Sequence, residues 1–163
     1  MDNVGLNDFR RALELPFRGI RDAKQLLGIM EAKYERVSDD VALLLEQFNA
    51  AFSKSKPIYL HRSSDTAARA LKWRLSSSKV YNFSDAAKSF RLVTSEVIQI
   101  LFNAGMSRHE VALIIEFDFK KNHLNYELSY LFAEISRLKV FIDDFEAWRK
   151  TPALIGVRRQ NDD

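Results

Sequence analysis

The sequence predicts a mainly α-helical protein: an elongated antiparallel helical bundle or coiled coil of three to four helices, with a small β-hairpin insertion. Three observations carry this. Apolar residues recur at heptad spacing over two long stretches. Gly and Pro are scarce, five and three in 163 residues. Helical periodicity breaks once, over residues 54–79, where an alternating pattern replaces it.

Residues 6–15 (LNDFRRALEL) are expected to form a short helix, capped by Asn7 or Asn3, and Pro16 ends it or starts the next one. A second helix is expected from Phe17 to Phe52. Ile20, Leu27, Tyr34, Val41 and Phe48 lie seven apart, and Ala23, Met30, Val37, Leu44 and Ala51 follow each by three. That is the a/d seam of a coiled coil, with charges such as Lys24, Glu31, Lys33 and Glu35 on its solvated sides. Leu43, Leu45 and Phe52 lie off the seam and call for cover of their own.

Pro57 forbids continuation of that helix. The stretches PIYLHR and LKWRL then alternate: Ile58 and Leu60 on one face, Leu71, Trp73 and Leu75 likewise. Two such runs around Ser63-Ser64-Asp65 predict a β-hairpin with a long loop. The rival is a short helix capped by Asp65, since TAARALKWRL holds good helix formers. The hairpin is preferred because PIYLHR needs a strand partner and no other lies nearby.

Ser76 to Lys79 read as a polar linker, after which Ser84 or Asp85 is expected to cap a third helix carrying Phe90, Val93, Val97, Ile100, Leu101 and Ala104 inward. Asn103-Ala104-Gly105 stops it, and Ser107-Arg108-His109-Glu110 has the form of a capping box opening a last helix, expected to reach Arg149 before Pro152. Ile114, Phe117, Leu124, Leu128, Leu131, Ile135, Leu138, Ile142 and Phe145 form its seam at spacings of three and four, with Lys121 as the one break. A second stripe (Val111, Ile115, Phe132, Val140, Phe141, Trp148) implies cover on two sides. The tail, 151–163, is expected to be irregular and flexible. The whole is read as a single helical domain, 1–163.

Composition narrows the function classes. Hydrophobic residues make up 47% of the chain and charged residues 29%, enough for a core. The absence of Cys excludes disulfides, thiolate metal sites and a Cys nucleophile, and a reducing, cytoplasmic setting is expected. The N-terminal MDNVGLNDFRRALEL lacks the form of a signal peptide, and no apolar run approaches the ~20 residues of a membrane helix, so no membrane partner is expected.

Catalytic patterns are missing. No Glu is followed three residues later by His, the pattern of di-iron bundles, and no His-Glu-x-x-His occurs. The five scattered Gly form neither a P-loop nor a dinucleotide fingerprint. His123 and Glu127 are i,i+4 neighbours without the ligand count of a metal site. Ser76-x-x-Lys79 lies in a linker without the companion motifs of its enzyme class. Asp39-Asp40 and Asp143-Asp144 read as solvated helix faces. Neither enzyme activity, nor a metal, nor a cofactor is expected.

Charge distribution points elsewhere. Segment 54–79 carries Lys54, Lys56, Arg62, Arg69, Lys72, Arg74 and Lys79 against one acid, Asp65. With a chain total of +3, the rest is net acidic. Cations that replace phosphate counterions, with Tyr59 and Trp73 to stack or support, are what nucleic-acid binding needs. If the hairpin forms, Lys72 and Arg74 share a face, Tyr59 and His61 join them if the register allows, and a two-stranded ribbon suits the major groove. The expected function is therefore a non-catalytic DNA- or RNA-binding accessory protein. Its candidate contacts are Lys54, Lys56, Tyr59, Arg62, Arg69, Lys72, Trp73, Arg74 and Lys79. The alternative is a solvated loop with Trp73 as a core anchor, in a helical scaffold that binds a second copy or another helical protein. The layout resembles that of small helical accessory proteins of plasmids and conjugative elements; the resemblance is one of plan and implies a nucleic-acid context.

Overall fold

A computed structural model describes residues 17–52, 56–64, 69–84 and 89–154, with side chains to Thr151. Among these the chain is mainly helical, with one small antiparallel sheet. In order it forms α1 (Ile20–Ala51), β1 (Ile58–Arg62), β2 (Leu71–Leu75), β3 (Ser89–Phe90), α2 (Ser95–Asn103) and α3 (Arg108–Leu154). The expected helix at 6–15, Lys54, Asp65 and the tail beyond Leu154 lie outside the described residues.

The chain divides into two compact units. In the first, the described residues are 17–32 and 133–154. Lys24 meets Glu146 at 2.5 Å and Glu31 meets Lys139 at 2.8 Å, so the two helical segments run antiparallel. Both pairs face solvent, where screening leaves them little energetic weight. Apolar burial holds the unit: Ala23, Leu138 and Ile142 are buried together, with Leu27, Met30 and Phe141 packed around them. Phe17 tilts against Phe141 at 4.8 Å between ring centroids.

The second unit, residues 33–132, holds the sheet. Its core is aromatic. The Phe48 ring meets Phe52 at 5.0 Å, and Trp73 and Phe117 edge-on, each at 5.3 Å. Such pairs contribute about 0.5–1.5 kcal/mol beyond their burial. Val41, Phe48, Ile114 and Leu128 are fully buried in this core.

The 57–75 segment forms the hairpin, not the short helix. Ile58 pairs with Leu75, Leu60 with Trp73 and Arg62 with Leu71, so all the large apolar side chains share the buried face. The ladder continues past the strands: Ser63 N–H donates to Ala70 O and Ser76 N–H to Pro57 O, both at 2.8 Å.

The third helix differs from expectation. It begins at Ser95, not at Ser84 or Asp85, because Ser89 and Phe90 join the sheet opposite Arg74 and Trp73. Thr94 is its N-cap, its hydroxyl accepting from Val97 N–H at 3.5 Å. Phe90 is thus a strand residue. The far end follows the sequence reading. Gly105 takes φ +87°, Gly105 N–H donates to Phe102 O at 2.9 Å and Met106 N–H to Leu101 O at 3.1 Å. This is a Schellman stop. The capping box also forms: Ser107 N–H donates to Glu110 Oε2 at 2.7 Å, and Glu110 N–H to Ser107 Oγ at 3.2 Å.

Two further differences concern α3. It runs through Pro152 to Leu154 instead of ending at Arg149. Its second stripe is covered only in part: Val111 is buried and Phe141 packs against Phe17 and the Ala23 cluster, whereas Ile115, Phe132, Val140 and Trp148 are exposed.

Candidate nucleic-acid interface

Antiparallel register decides which side chains meet on the outer face of the sheet. Tyr59 stands opposite Arg74, and His61 opposite Lys72. Directly opposed residues share a face with Cβ atoms ~4.5–5.5 Å apart. Because Ile58, Leu60, Leu71, Trp73 and Leu75 fill the inner face, these four project outward: Tyr59 and Arg74 are exposed, His61 and Lys72 half-buried. β3 adds Ser89, whose hydroxyl lies 3.0 Å from His61 Nε2.

The candidate contacts therefore separate. Tyr59, Lys72 and Arg74 lie together on the outer face, with Arg69 and Lys79 exposed in the flanking loops. Arg69 holds φ +50°, unusual for a residue with a Cβ, and its carbonyl accepts from Arg62 Nε at 3.3 Å. Arg62 also reaches α1, donating from Nη2 to Ser38 Oγ at 2.7 Å. Two candidates turn inward. Lys56 is buried; its ammonium donates to Asn49 Oδ1 at 3.0 Å and sits 4.4 Å from the Phe48 ring centre. Burial pushes its pKa below the ordinary lysine value. Trp73 has no exposed surface, which leaves no ring face for a base, and it serves as a core anchor.

What anchors Trp73 is a buried polar cluster on α3. Its indole N–H donates to Asp118 Oδ1 at 2.6 Å. The same oxygen lies 2.9 Å from the Lys121 ammonium, which also donates to the carbonyl of Arg91. Asp118 Oδ2 accepts from Val93 N–H and from Asn122 Nδ2, both at 3.3 Å. Lys121, the break in the heptad seam, is completely buried, and its ammonium lies 5.8 Å from the Trp73 ring centre. Burial lowers its pKa, and the Asp118 carboxylate opposes that shift only in part. One turn on, Asn125 clamps the edge of β2: its Oδ1 accepts from Leu71 N–H at 2.7 Å and its Nδ2 donates to Leu71 O at 2.8 Å. This side-chain amide does for Leu71 what β3 does for Trp73. The sequence signal for the cluster was a lone Lys at a strict seam position with an Asp three residues before it.

Two open recesses border the outer face. One, of about 630 Å³, is lined by Tyr59, His61, Arg74 and Ser76–Ser78. The other, of about 710 Å³, is lined by Lys72, Arg91, Asn122, Tyr126 and Ser129 over a floor that includes Leu71. Arg91 and Tyr126, both exposed, lie outside the basic segment and were not among the candidate contacts.

Of the remaining motifs, His123 Nε2 lies 3.9 Å from Glu127 Oε1 on an exposed helix face. Among the described residues no group of three or more His, Asp or Glu is placed to hold a metal ion, and no helix is long and apolar enough to cross a membrane. Comparison with protein-family models, with curated proteins and with solved structures finds no significant match to this chain.

Proposed function

We propose that this is a non-catalytic nucleic-acid-binding accessory protein, of the kind found with plasmids or mobile elements, and that the outer face of its sheet is the contact surface. One observation carries the reading. The register sets Tyr59 against Arg74 and His61 against Lys72, which concentrates cations and flat rings on one solvent-facing patch. Arg69, Lys79 and Arg91 extend that patch with further exposed cations. Fluorescence anisotropy with random-sequence DNA and RNA at low and moderate salt tests it. Replacing Lys72 and Arg74 together by Ala weakens binding and flattens the salt slope by roughly two units. Unchanged affinity in that double variant overturns the reading.

A second reading, a helical protein–protein interaction module, is favoured by a different observation. Leu43 and Phe119 are exposed, Phe119 at 77%, and line one shallow groove with Asp40 on one side and Lys120 on the other. Opposite charges flanking an apolar strip make it self-complementary, as a two-fold contact between copies requires. In this reading the heptad seams of α1 and α3 are a coiled-coil core, and light scattering finds a dimer that persists at high salt, because apolar burial is not screened.

A further inference from the structure

The two recesses and the residues between them carry the argument from nucleic acid in general to one form of it. Resting on the nucleic-acid reading above, we infer that the ligand is a single strand, crossing from the Tyr59–Arg74 recess over His61 and Lys72 to the second recess, where one base seats against Tyr126.

The geometry favours unpaired bases. Tyr59 and His61 are two residues apart on β1, as are Arg74 and Lys72 on β2, so the two rows step about 6.7 Å along the strands. That step suits successive nucleotides of an extended chain. Lys72 belongs both to the outer face and to the wall of the second recess, which makes the path continuous. Volumes of about 630 and 710 Å³ are of the size that small planar ligands fill. A duplex offers such hollows its phosphates and base edges but no free ring face, since its bases are stacked and paired, whereas a single strand can splay a base into them.

The second recess has the chemistry for that base. Tyr126 is 75% exposed, an aromatic ring held on a rigid helix with little cover. Leu71 and Leu92 supply apolar floor, and Asn122 and Ser129 add hydrogen-bonding groups that a base edge can meet. Arg91 and Lys72 stand at the same wall to neutralise the phosphates on either side. Among the described residues lining either recess, none is acidic. Both recesses lie within the 33–132 unit, so the path needs no other part of the chain.

The test uses the full chain and fluorescein-labelled probes of about 12 nucleotides, within the range of single-strand site sizes: oligo(U) RNA, oligo(dT) DNA and a mixed-sequence duplex, each at two salt concentrations. The expected result is tighter binding of either single strand than of duplex, the RNA and DNA arms separating the two sources. Tyr126→Ala, at a solvent-facing position that folding does not depend on, weakens single-strand binding roughly five-fold or more and leaves the salt slope unchanged. Arg91→Ala flattens that slope by roughly one unit. Tyr130→Ala, exposed on the same helix but outside the recess, changes neither. If single strands bind and Tyr126→Ala binds as well as the parent, or if duplex binds more tightly, the single-strand path is wrong while the broader reading stands. If none of the three probes binds, both fall together.

Discussion

Trp73 Nε1 donates to Asp118 Oδ1 at 2.6 Å, and Lys121 approaches that same oxygen to 2.9 Å. One carboxylate thus joins the central strand of the sheet to the longest helix and neutralises a buried cation. Removing either partner does unequal damage. Without Lys121, Asp118 keeps Trp73, Val93 N–H and Asn122 as donors. Without Asp118, the Lys121 ammonium retains the Arg91 carbonyl but no counter-charge. Asp118→Ala is expected to cost about 3–5 kcal/mol, the usual penalty for a buried charge left unpaired. Lys121→Met, close in shape, is expected to cost much less, and the double variant less than the two costs combined. Urea denaturation of the four proteins closes the cycle; equal costs for the two single variants contradict it.

The same cluster sets an alkaline signature. Burial lowers the pKa of Lys121 below its free value of 10.5, and does the same to Lys56. Between the lowered value and 10.5 the unfolded chain binds more protons than the folded one, so stability rises with pH over that interval. Below it both states are protonated and the cost of the buried charge is present in full. The denaturation midpoint therefore climbs with pH in the alkaline range below 10.5, and climbs less in Lys121→Met. A midpoint that is flat or falls there in the parent protein refutes the assignment.

In acid the capping box contributes, as does Glu146, whose carboxyl Lys24 holds below its usual value. Hydrogen bonds from the Ser107 backbone and hydroxyl hold the Glu110 carboxyl below its usual pKa. A depressed carboxyl pKa contributes stability present above the unfolded value of 4.5 and lost as pH falls through the folded one. Glu110→Gln should flatten the stability curve below pH 4.5, where the parent's declines. Ser107→Ala should cost ~1 kcal/mol at neutral pH, as loss of an N-cap does.

Asn125 is a second joint between sheet and helix. Asn125→Ala leaves both the N–H and the C=O of Leu71 without a partner beside a fully buried side chain. About 1–3 kcal/mol for each of the two unsatisfied buried groups places the loss at roughly 2–6 kcal/mol. Hydrogen exchange locates it: the Leu71 amide loses protection while the His61 amide, in a hydrogen-bonded pair between β1 and β2, keeps most of its own. Uniform loss across both strands points to global destabilisation instead.

Burial also ranks the basic residues. Lys56→Met removes a cation whose ammonium is buried against Asn49 and the Phe48 and Tyr59 rings, so the salt slope should stay as in the parent. Arg74→Ala, on the exposed outer face, should lower both affinity and slope. Anisotropy titrations at two salt concentrations distinguish the two variants, and an equal effect argues that net charge alone draws the ligand in.

Local rules made much of this molecule legible from its residues. The seams of α1 and α3, the Schellman stop at Gly105, the capping box at Ser107 and the alternation of Ile58–Arg62 and Leu71–Leu75 all depend on neighbours within a few positions. What depends on distant neighbours was not legible. Ser89 and Phe90 are a strand only because β2 has an open edge for them, whereas their own sequence is equally suited to a helix start. Lys121 looks like a flaw in a heptad until Asp118, Trp73 and the Arg91 carbonyl surround it. Lys56 and Arg74 are both cations of one basic segment in the sequence; packing buries one and register exposes the other. Periodicity is written along the chain, but which charges reach water depends on contacts among residues tens of positions apart, and those exist only once the sheet lies against its helices.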